Sequence, residues 1–351
     1  MISERRGVVE ASKLPTGKTT IAFKKGDILI SNIRPYFKKI WLADKSGGCS
    51  NDVLVIRANE KISNRFLYYV LSSNNFFAYA VGTSKGTKMP RGDKKAIMKY
   101  SVPLFSFEEQ EKIANILSSY DKKIFLNKQI NHHLEQMAQT IFKSWFVDFE
   151  PFGGVKTSDW KTTNLTDIAE YLNGLAMQKY RPLNDEKSLP VLKIKELRQG
   201  TFDLSSDLCS SNIKPQYIVE DGDVIFSWSG SLLVDFWTGG IGGLNQHLFK
   251  VSSQDYDKWF YYSWTKYYLE EFTAIAADKA TTMGHITRSS LEKAEVLIPN
   301  NQDYRFLGTL LAPIYDQIIY NRIENRKLME ARDNLLPKLL SGEISVTQAA
   351  K

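Results

Sequence analysis

A repeat of about 195 residues constrains this chain more than any other feature of its sequence. Gly26-Asp27-Ile28-Leu29-Ile30-Ser31 recurs as Gly222-Asp223-Val224-Ile225-Phe226-Ser227, Tyr68-Tyr69 as Tyr261-Tyr262, and Ser101-Val102-Pro103 as Leu297-Ile298-Pro299. Each copy contains a Gly-Asp turn, an apolar strand, an Asn before a second strand, an aromatic segment, a loop rich in Gly, Lys and Thr, and a strand ending in Pro103 or Pro299. We therefore expect two copies of one α+β domain.

Two stretches with apolar residues at steps of three and four predict long helices of the coiled-coil type. The first seam comprises Ile113, Leu117, Tyr120, Ile124, Asn127, Asn131, Leu134, Ala138, Ile141 and Trp145. The second comprises Ile314, Ile318, Asn321, Asn325, Leu328, Arg332, Leu335 and Leu339. Since the chain must return between them, we expect an antiparallel pair with the two domains at opposite ends. The alternative is that each helix packs only on its own domain.

Two asparagines occupy matching points of each seam, and they are Asn127, Asn131, Asn321 and Asn325. A buried Asn is satisfied only opposite another polar group. We predict that these four residues set the register of the helix pair. The expected fold class is thus α+β, with two repeated α/β domains joined and separated by two long helices that form an antiparallel coiled coil.

Composition shifts place the domain boundaries. We assign residues 1–107 to the first domain, 108–150 to a central helix, 151–159 to a linker, 160–301 to the second domain, 302–345 to a C-terminal helix and 346–351 to a tail. Pro151 and the pair Gly153-Gly154 end the central helix because they cannot extend it. Trp160 to Gly222 spans 62 residues, whereas Met1 to Gly26 spans 25, so we expect the first domain to be truncated at its N-terminus.

The charge of +7 is unevenly distributed along the 351 residues. Residues 1–107 hold 19 Lys and Arg against 7 Asp and Glu, whereas residues 108–351 hold 27 against 32. A surplus confined to one domain favours a polyanionic partner such as nucleic acid. No apolar run has the length of a membrane span or a signal sequence, so we expect no membrane partner and a cytoplasmic protein.

Catalytic and metal-binding patterns are weak in this chain. Asp185-Glu186-Lys187 fits half of a magnesium-dependent nuclease site but follows Pro182 in a polar stretch, where a solvated loop is the simpler interpretation. The two cysteines and four histidines lack metal-ligand spacing, and no motif for methyl transfer is present. We expect no catalytic site, no metal and no cofactor in this chain; a stand-alone nuclease and a DNA-independent coiled-coil interaction protein stay as alternatives.

Basic clusters with interleaved glycines and aromatics are the candidate DNA-binding residues, because lysines neutralise phosphates and arginine can fork onto guanine. In the first domain they are Arg34, Lys38, Lys39, Lys85, Lys88, Arg91, Lys94 and Lys95. In the second domain they are Lys193, Lys195, Arg198, Lys279, His285 and Arg288, and the loop from Lys279 to Arg288 takes the place of residues 83–92.

The order of domain, long helix, domain and long helix resembles the specificity subunits of Type I restriction-modification systems. The C-terminal run from Arg332 to Ile344, RDNLLPKLLSGEI, is very similar to the ending of that family. Asp121, Asp316 and the seam asparagines also fit. The resemblance implies two target-recognition domains that read the halves of a split double-stranded DNA site, with the helix pair as a ruler.

The same resemblance implies the partners. Modification subunits would bind the helices and supply adenine methylation that uses S-adenosylmethionine, and translocating restriction subunits would add ATP and Mg²⁺. The segment of the second domain from Trp160 to about Glu196 has no counterpart in the first. Half-site recognition by the first domain is therefore the least supported part of the resemblance.

Overall fold

The sequence repeat folds into two units in the computed structural model of the chain. The structure describes all residues except 4, 6, 10–19, 184, 279–283, 350 and 351. Unit 1 comprises residues 1–124 and 327–351, and unit 2 comprises residues 125–326.

Where unit 1 is described, five short strands form its sheets. They are β1 (Ile21–Phe23), β2 (Ile28–Ser31), β3 (Ile40–Leu42), β4 (Gly47–Cys49) and β5 (Val53–Ile56). An antiparallel sheet has the order β3-β2-β5, and β1 pairs with β4. The turn before β2 forms as the sequence predicts: Gly26 has a φ of +91°, which favours glycine, and the Asp27 carboxylate accepts the N–H of Lys24 at 2.7 Å.

Three helices follow these strands, and side chains cap each of them. They are α1 (Asn64–Ser72), α2 (Asn74–Gly82) and α3 (Lys94–Ile97), and the 40-residue helix α4 (Phe107–Phe146) comes next. The Ser73 hydroxyl accepts the N–H of Phe76 at 3.1 Å, and the Asp93 carboxylate accepts the N–H of Lys95 at 2.9 Å. The apolar residues of α1 and α2 pack on β2 to form the core of this unit.

The described residues of unit 2 form ten strands. They are β6 (Lys161–Asn164), β7 (Glu170–Asn173), β8 (Ser188–Leu192), β9 (Leu208–Ser210), β10 (Ile218–Val219), β11 (Val224–Ser227), β12 (Leu233–Phe236), β13 (Gly242–Leu244), β14 (Leu248–Ser252) and β15 (Glu295–Ile298). One sheet has the order β12-β11-β14-β7, a second has the order β10-β13-β8-β9, and β15 pairs with β6.

The remaining helices are α5 (Leu165–Ile168), α6 (Ile194–Gln199), α7 (Lys258–Tyr267), α8 (Leu269–Asp278), α9 (Arg288–Lys293), the 41-residue helix α10 (Asn301–Ser341) and α11 (Val346–Ala349). An aromatic core of this unit includes Phe142, Phe146, Trp160 and Trp264. Among the helices of the described residues, none is both long and apolar enough to cross a membrane.

The sheet topology confirms the predicted repeat. The order β3-β2-β5 in unit 1 matches β12-β11-β14 in unit 2, and the antiparallel pair β1-β4 matches β10-β13. Unit 2 adds β7 beside β14 and β8 with β9 beside β13. These added strands, together with β6, come from residues 161–210, and the described residues of unit 1 contain no counterpart of them.

The predicted strand ending at Pro103 is wrong. Its equivalent in unit 2, β15, exists because Glu295 to Ile298 pair with Asn164 to Lys161 of β6. Residues 101–106 have no such neighbour within the described part of unit 1 and run as irregular chain. A strand needs a hydrogen-bonded partner, which local sequence does not reveal.

The seam asparagines confirm the antiparallel helix pair in unit 2. Asn127 donates from Nδ2 to Oδ1 of Asn325 at 3.0 Å, and Asn321 donates from Nδ2 to Oδ1 of Asn131 at 2.8 Å. All four side chains are buried. Residue numbers rise along α4 while those of their partners fall along α10, so the two helices run in opposite directions.

One end of the first seam is broader than predicted. Ile141 and Trp145 are half-buried and pack on the core, with the Trp145 ring 5.5 Å from that of Phe306 on α10, and the fully buried residues there are Ala138, Phe142 and Phe146. The reason is that this end of α4 packs on the aromatic core of unit 2, where the rings of Phe142 and Trp264 lie 5.0 Å apart. The larger aromatic surface determines which face of the helix is buried.

Candidate nucleic-acid interface

The two basic clusters of unit 1 lie together in the structure. The N–H of Arg34 donates to the carbonyl of Pro90 at 2.7 Å, and the N–H of Gly92 donates to the carbonyl of Asn32 at 3.0 Å. These two backbone hydrogen bonds, which we call frame 1, join the chain just after β2 to the loop before α3. Residues 34–39 and 85–95 therefore form one basic surface.

The chain leaves frame 1 in a tight turn that exposes aromatic rings. Arg34 and Lys38 have φ values of +52° and +47°, and Pro35 to Phe37 form a single helical turn between them. Tyr36 is 45% exposed and Phe37 is 37% exposed, and the Lys39 ammonium lies 5.6 Å from the centre of the Phe37 ring. Exposed rings beside cations can stack on bases or pack on sugars while the charges bind phosphates.

Two cations of this surface are held by carboxylates. Lys85 pairs with Asp93 at 2.7 Å, and Arg91 pairs with Asp52 at 3.2 Å. The Asp93 carboxylate raises the pKa of Lys85 above its ordinary value, and Lys85 in turn lowers the pKa of Asp93. Both cations are exposed, and their ion pairs direct them toward these two carboxylates.

Three further lysines of the same surface are exposed. They are Lys88, Lys94 and Lys95, and no ion pair is found for them within the described part of the chain. Their mobile ammonium groups suit contacts with phosphates, which require charge but little directional precision.

Unit 2 repeats the frame at equivalent residues. The N–H of Gly230 donates to the carbonyl of Gly284 at 2.9 Å, and the N–H of Ile286 donates to the carbonyl of Trp228 at 3.1 Å. We call this pair frame 2. It places His285 on the surface next to the chain that follows β11. Arg288 is exposed at the first turn of α9, and Lys279 lies outside the described residues.

Helix α6 carries the other cations predicted for unit 2. Lys193 is ion-paired with Asp207, and Lys195 pairs with Asp203 at 2.9 Å. The hydrogen bond from Lys193 lowers the pKa of Asp207. Arg198 is exposed on the same helix. The positive charges of Lys193 and Lys195 are thus largely compensated locally.

This helix lies next to frame 2. A Cβ built on Gly230 would lie 3.9 Å from Cδ1 of Ile194, the residue between Lys193 and Lys195. The structure therefore brings the predicted residues of α6 and the loop of His285 into one region of unit 2.

Sequence reasoning missed several residues at frame 2. Trp228 is half-buried, its ring centre lies 5.7 Å from that of Phe249, and its Nε1 donates to Oδ1 of Asn173 at 3.1 Å. The His247 ring lies 6.2 Å from the Trp228 ring. Trp228 directly follows the repeated Gly-Asp strand, at the place of Asn32 in the first copy, and an alignment of the two copies would have drawn attention to it.

The nuclease-like tripeptide serves a local structural role. Glu186 accepts the N–H of Leu183 at 3.0 Å and the side-chain amide of Asn212 at 2.8 Å. The hydroxyl of Ser210 lowers the pKa of Glu186. Its oxygens therefore hold a loop together. Within the described residues, no group of three His, Cys, Asp or Glu is arranged to hold a metal ion.

A duplicated module that places exposed cations beside the same backbone frame is typical of a protein that reads DNA sequence. Residues 9–136 and 157–329 match the family described as the Type I restriction modification DNA specificity domain, and the chain belongs to this family. This membership confirms the predicted family and the predicted role of a non-catalytic specificity subunit. It favours neither the stand-alone nuclease nor the DNA-independent coiled-coil interaction protein.

Named relatives agree with the family. The Type I restriction enzyme MjaIX specificity subunit of Methanocaldococcus jannaschii is 26% identical, over 93% of this chain and 79% of its own length. The HindI specificity subunit of Haemophilus influenzae is 24% identical, over 93% of this chain and 88% of its own length. A crystal structure of a Type I S subunit from M. genitalium has the same fold, with a TM-score of 0.52 and 17% identity over 95% of this chain and 87% of that one.

Proposed function

We propose that this specificity subunit reads a split DNA target, with each unit recognising one half and the antiparallel helices setting the gap. The observation that carries the proposal is the repeated frame. Frames 1 and 2 are built from the same backbone hydrogen bonds in both units. Two copies of one reading surface in one chain are what recognition of two half-sites requires.

The proposed domain division follows the predicted boundaries. Residues 1–107 and 160–301 are the two target-recognition domains, residues 108–150 and 302–345 are the helical ruler, 151–159 is a linker and 346–351 a tail. The observed helices, Phe107–Phe146 and Asn301–Ser341, begin within a residue of the proposed starts and end about four residues before the proposed ends.

Within this proposal, seven basic residues bind the DNA backbone. Lys38, Lys39, Lys88, Lys94, Lys95, Arg198 and Arg288 contact phosphates. Each phosphate contact adds affinity that falls steeply as salt increases and is independent of sequence.

The helices also offer a surface for a modification subunit. Leu126, Ile130 and Met137 are exposed on one face of α4, because steps of four and seven residues return to the same side of a helix. Exposed apolar stripes of this kind mark protein interfaces. We propose that a modification subunit binds here, that S-adenosylmethionine, ATP and Mg²⁺ are used by the partner subunits, and that the complex works on DNA in the cytoplasm.

Genome-wide mapping of methylated adenines tests the proposed function. The full chain is co-expressed with its modification subunit in a host without other adenine methylation. We expect methylation at a motif with two specified parts separated by a fixed unspecified gap. A continuous motif would contradict reading by two units, and a stable complex that methylates nothing would contradict target recognition by this chain.

Assembly is tested by co-purification. Ile130→Glu places a charge in the apolar stripe of α4 and is expected to abolish recovery of the modification subunit. Gln129→Glu, at the neighbouring exposed position, is the matched control and should leave the complex intact. Equal recovery with both variants would exclude this face as the docking surface.

A further inference from the structure

Three residues of unit 1 lie together at the end of the β3-β2-β5 sheet. The N–H of Asn32 donates to the carbonyl of Asp52 at 2.8 Å, and the Asp52 carboxylate holds the Arg91 guanidinium at 3.2 Å. Asn32 follows β2, Asp52 precedes β5, and Arg91 lies between the two hydrogen-bonded residues of the loop in frame 1. The side chains of Arg91 and Asp52 are 59% and 41% exposed, so this end of the sheet offers a donor and an acceptor to a ligand.

Three residues of unit 2 occupy the same backbone positions. In the strand ladders, Ser31 faces Val53 in unit 1, and Ser227 faces Leu248 in unit 2. Trp228 and His247 flank the second pair as Asn32 and Asp52 flank the first, and His285 takes the place of Arg91. The rings of Trp228 and His285 lie 6.2 Å apart, and the hydroxyl of Ser229 lies 3.1 Å from Nδ1 of His247.

Side-chain chemistry changes completely between the two sets, although the backbone frame does not. The unit 1 set carries a guanidinium, a carboxylate and an amide, whereas the unit 2 set carries an indole and two imidazoles. Contacts to phosphates need positive charge in both halves, because the DNA backbone is the same everywhere. Contacts to base edges must differ between halves that differ in sequence.

We infer that Asp52 and Arg91 of unit 1 and residues 228, 247 and 285 of unit 2 are the positions that read bases, with the buried Asn32 supporting the end of the sheet behind the unit 1 pair. The inference rests on the proposed function and deepens it, since it separates base-reading residues from the phosphate-binding lysines around them. It also assigns this role to Asp52, Trp228 and His247, which the basic clusters of the sequence do not include.

The chemistry of each set indicates the type of base that it recognises. Arg91 is held by Asp52, so its remaining N–H groups are oriented, and an oriented guanidinium pairs with O6 and N7 of guanine. Asp52 can accept from the amino group of cytosine. The apolar face of Trp228 suits the methyl group of thymine, and an imidazole can hydrogen-bond to an adjacent base edge. Unit 1 therefore selects a G·C pair and unit 2 selects a T·A pair.

The test is selection from a DNA library in which the two halves of the target are randomised in turn. The protein is the full chain assembled with its modification subunit. We expect Arg91→Ala to reduce discrimination at one G·C position of one half about tenfold or more and to leave the other half unchanged. His285→Ala is expected to relax one position of the other half only.

Lys88→Ala is the matched control, because it removes an exposed cation of the same surface outside both sets. We expect it to weaken binding to all sequences and to reduce the slope of log affinity against log salt by about 0.9, with the selected motif unchanged. If Arg91→Ala prevents assembly, Arg91→Lys is used in its place and is expected to relax the same position, since it keeps the charge but lacks the fork.

Two different results of this selection would contradict the base-reading inference and the proposed function. A wild-type complex that selects no split sequence would contradict the proposed function. The inference is overturned, and the proposed function stands, if the wild-type complex selects a split sequence and the variants keep every base preference. The variants are Arg91→Ala, or Arg91→Lys in its place, and His285→Ala.

Discussion

Asn321 donates a hydrogen bond from Nδ2 to Oδ1 of Asn131 at 2.8 Å, and both side chains are buried between α4 and α10 in unit 2. Asn131 donates in turn from its own Nδ2 to the carbonyl of Ile318 at 3.1 Å. A shift of either helix by one turn would keep only one Asn–Asn pair and would separate the other two seam amides from their partners. The hydrogen bonds of these buried amides therefore depend on the alignment of the two helices.

Asn131→Leu should lower the free energy of unfolding by about 1–3 kcal/mol, because the amide of Asn321 is then buried without its partner. Replacing both residues, Asn131→Leu with Asn321→Leu, should restore most of the loss, since both buried amides are then removed and the exposed Gln317, which donates to Asn321, can bind water instead. Urea denaturation measures both effects. Gln129→Leu, two residues away on the exposed face of α4, is the control, and an equal loss in that variant would contradict the register role.

Asp121→Ala should destabilise unit 1 by about 3 kcal/mol. Asp121 accepts the hydroxyl of Tyr69 at 2.6 Å and is ion-paired with Arg332, whose side chain is only 17% exposed. Burial raises the pKa of Tyr69 well above its ordinary value, which keeps this hydroxyl protonated as a donor. Removal of the carboxylate leaves a largely buried guanidinium with Asp333 as its other acidic partner.

Thermal and urea unfolding measure this loss. Asp121→Asn keeps an acceptor for Tyr69 and should cost less than Asp121→Ala. Asp44→Ala, at an exposed position of the same unit, should cost almost nothing. A loss for Asp121→Ala no larger than that of Asp44→Ala would show that the ion pair does not stabilise the unit.

Unit 1 should lose stability in acid through Asp27. A hydrogen bond from Arg57 lowers the pKa of Asp27, whose side chain is only 3% exposed. Since the folded pKa lies below the unfolded one, the stabilisation is fully present above the unfolded value near 4 and is lost as the pH falls through the folded value. Arg57 is 57% exposed, which weakens the pair by solvent screening.

Asp27→Asn tests this linkage. The difference in unfolding free energy between the wild type and Asp27→Asn should be constant at neutral pH and shrink steadily below about pH 4. Urea titrations at a series of pH values give this difference directly. A difference that stays constant down to pH 2 would exclude Asp27 as a source of acid sensitivity.

Gly174→Ala should destabilise unit 2 by about 1–3 kcal/mol. A Cβ at this residue would lie 2.3 Å from the carbonyl oxygen of Asn245 and 2.5 Å from that of Leu244, and neither backbone atom can move alone. The hydrogen bond from the N–H of Gly174 to Leu248, 3.0 Å long, would be strained as well. Gly82→Ala, where a Cβ meets no atom within 4 Å, should leave stability nearly unchanged, and a similar loss in both variants would contradict this steric explanation.

The sequence determined the features that depend on spacing along the chain. The recurrence of the Gly-Asp strand predicts the duplicated sheet, and the steps of three and four residues predict the helix pair. Matching asparagines predict which residues meet, because a buried amide needs a polar partner. Each of these inferences uses a regular period or a rule that holds for any chain.

Tertiary structure decided the features that depend on distant neighbours. Residues 101–106 do not form a strand because no strand like β6 lies beside them among the described residues, and α4 turns Phe142 toward the core because Trp264 is there. Frame 1 joins Arg34 to Pro90 through backbone groups, so no side chain in the sequence predicts this contact. Hydrogen bonds and packing between residues far apart in sequence form only once the strands have placed them, which is why the base-reading positions became visible only in the folded chain.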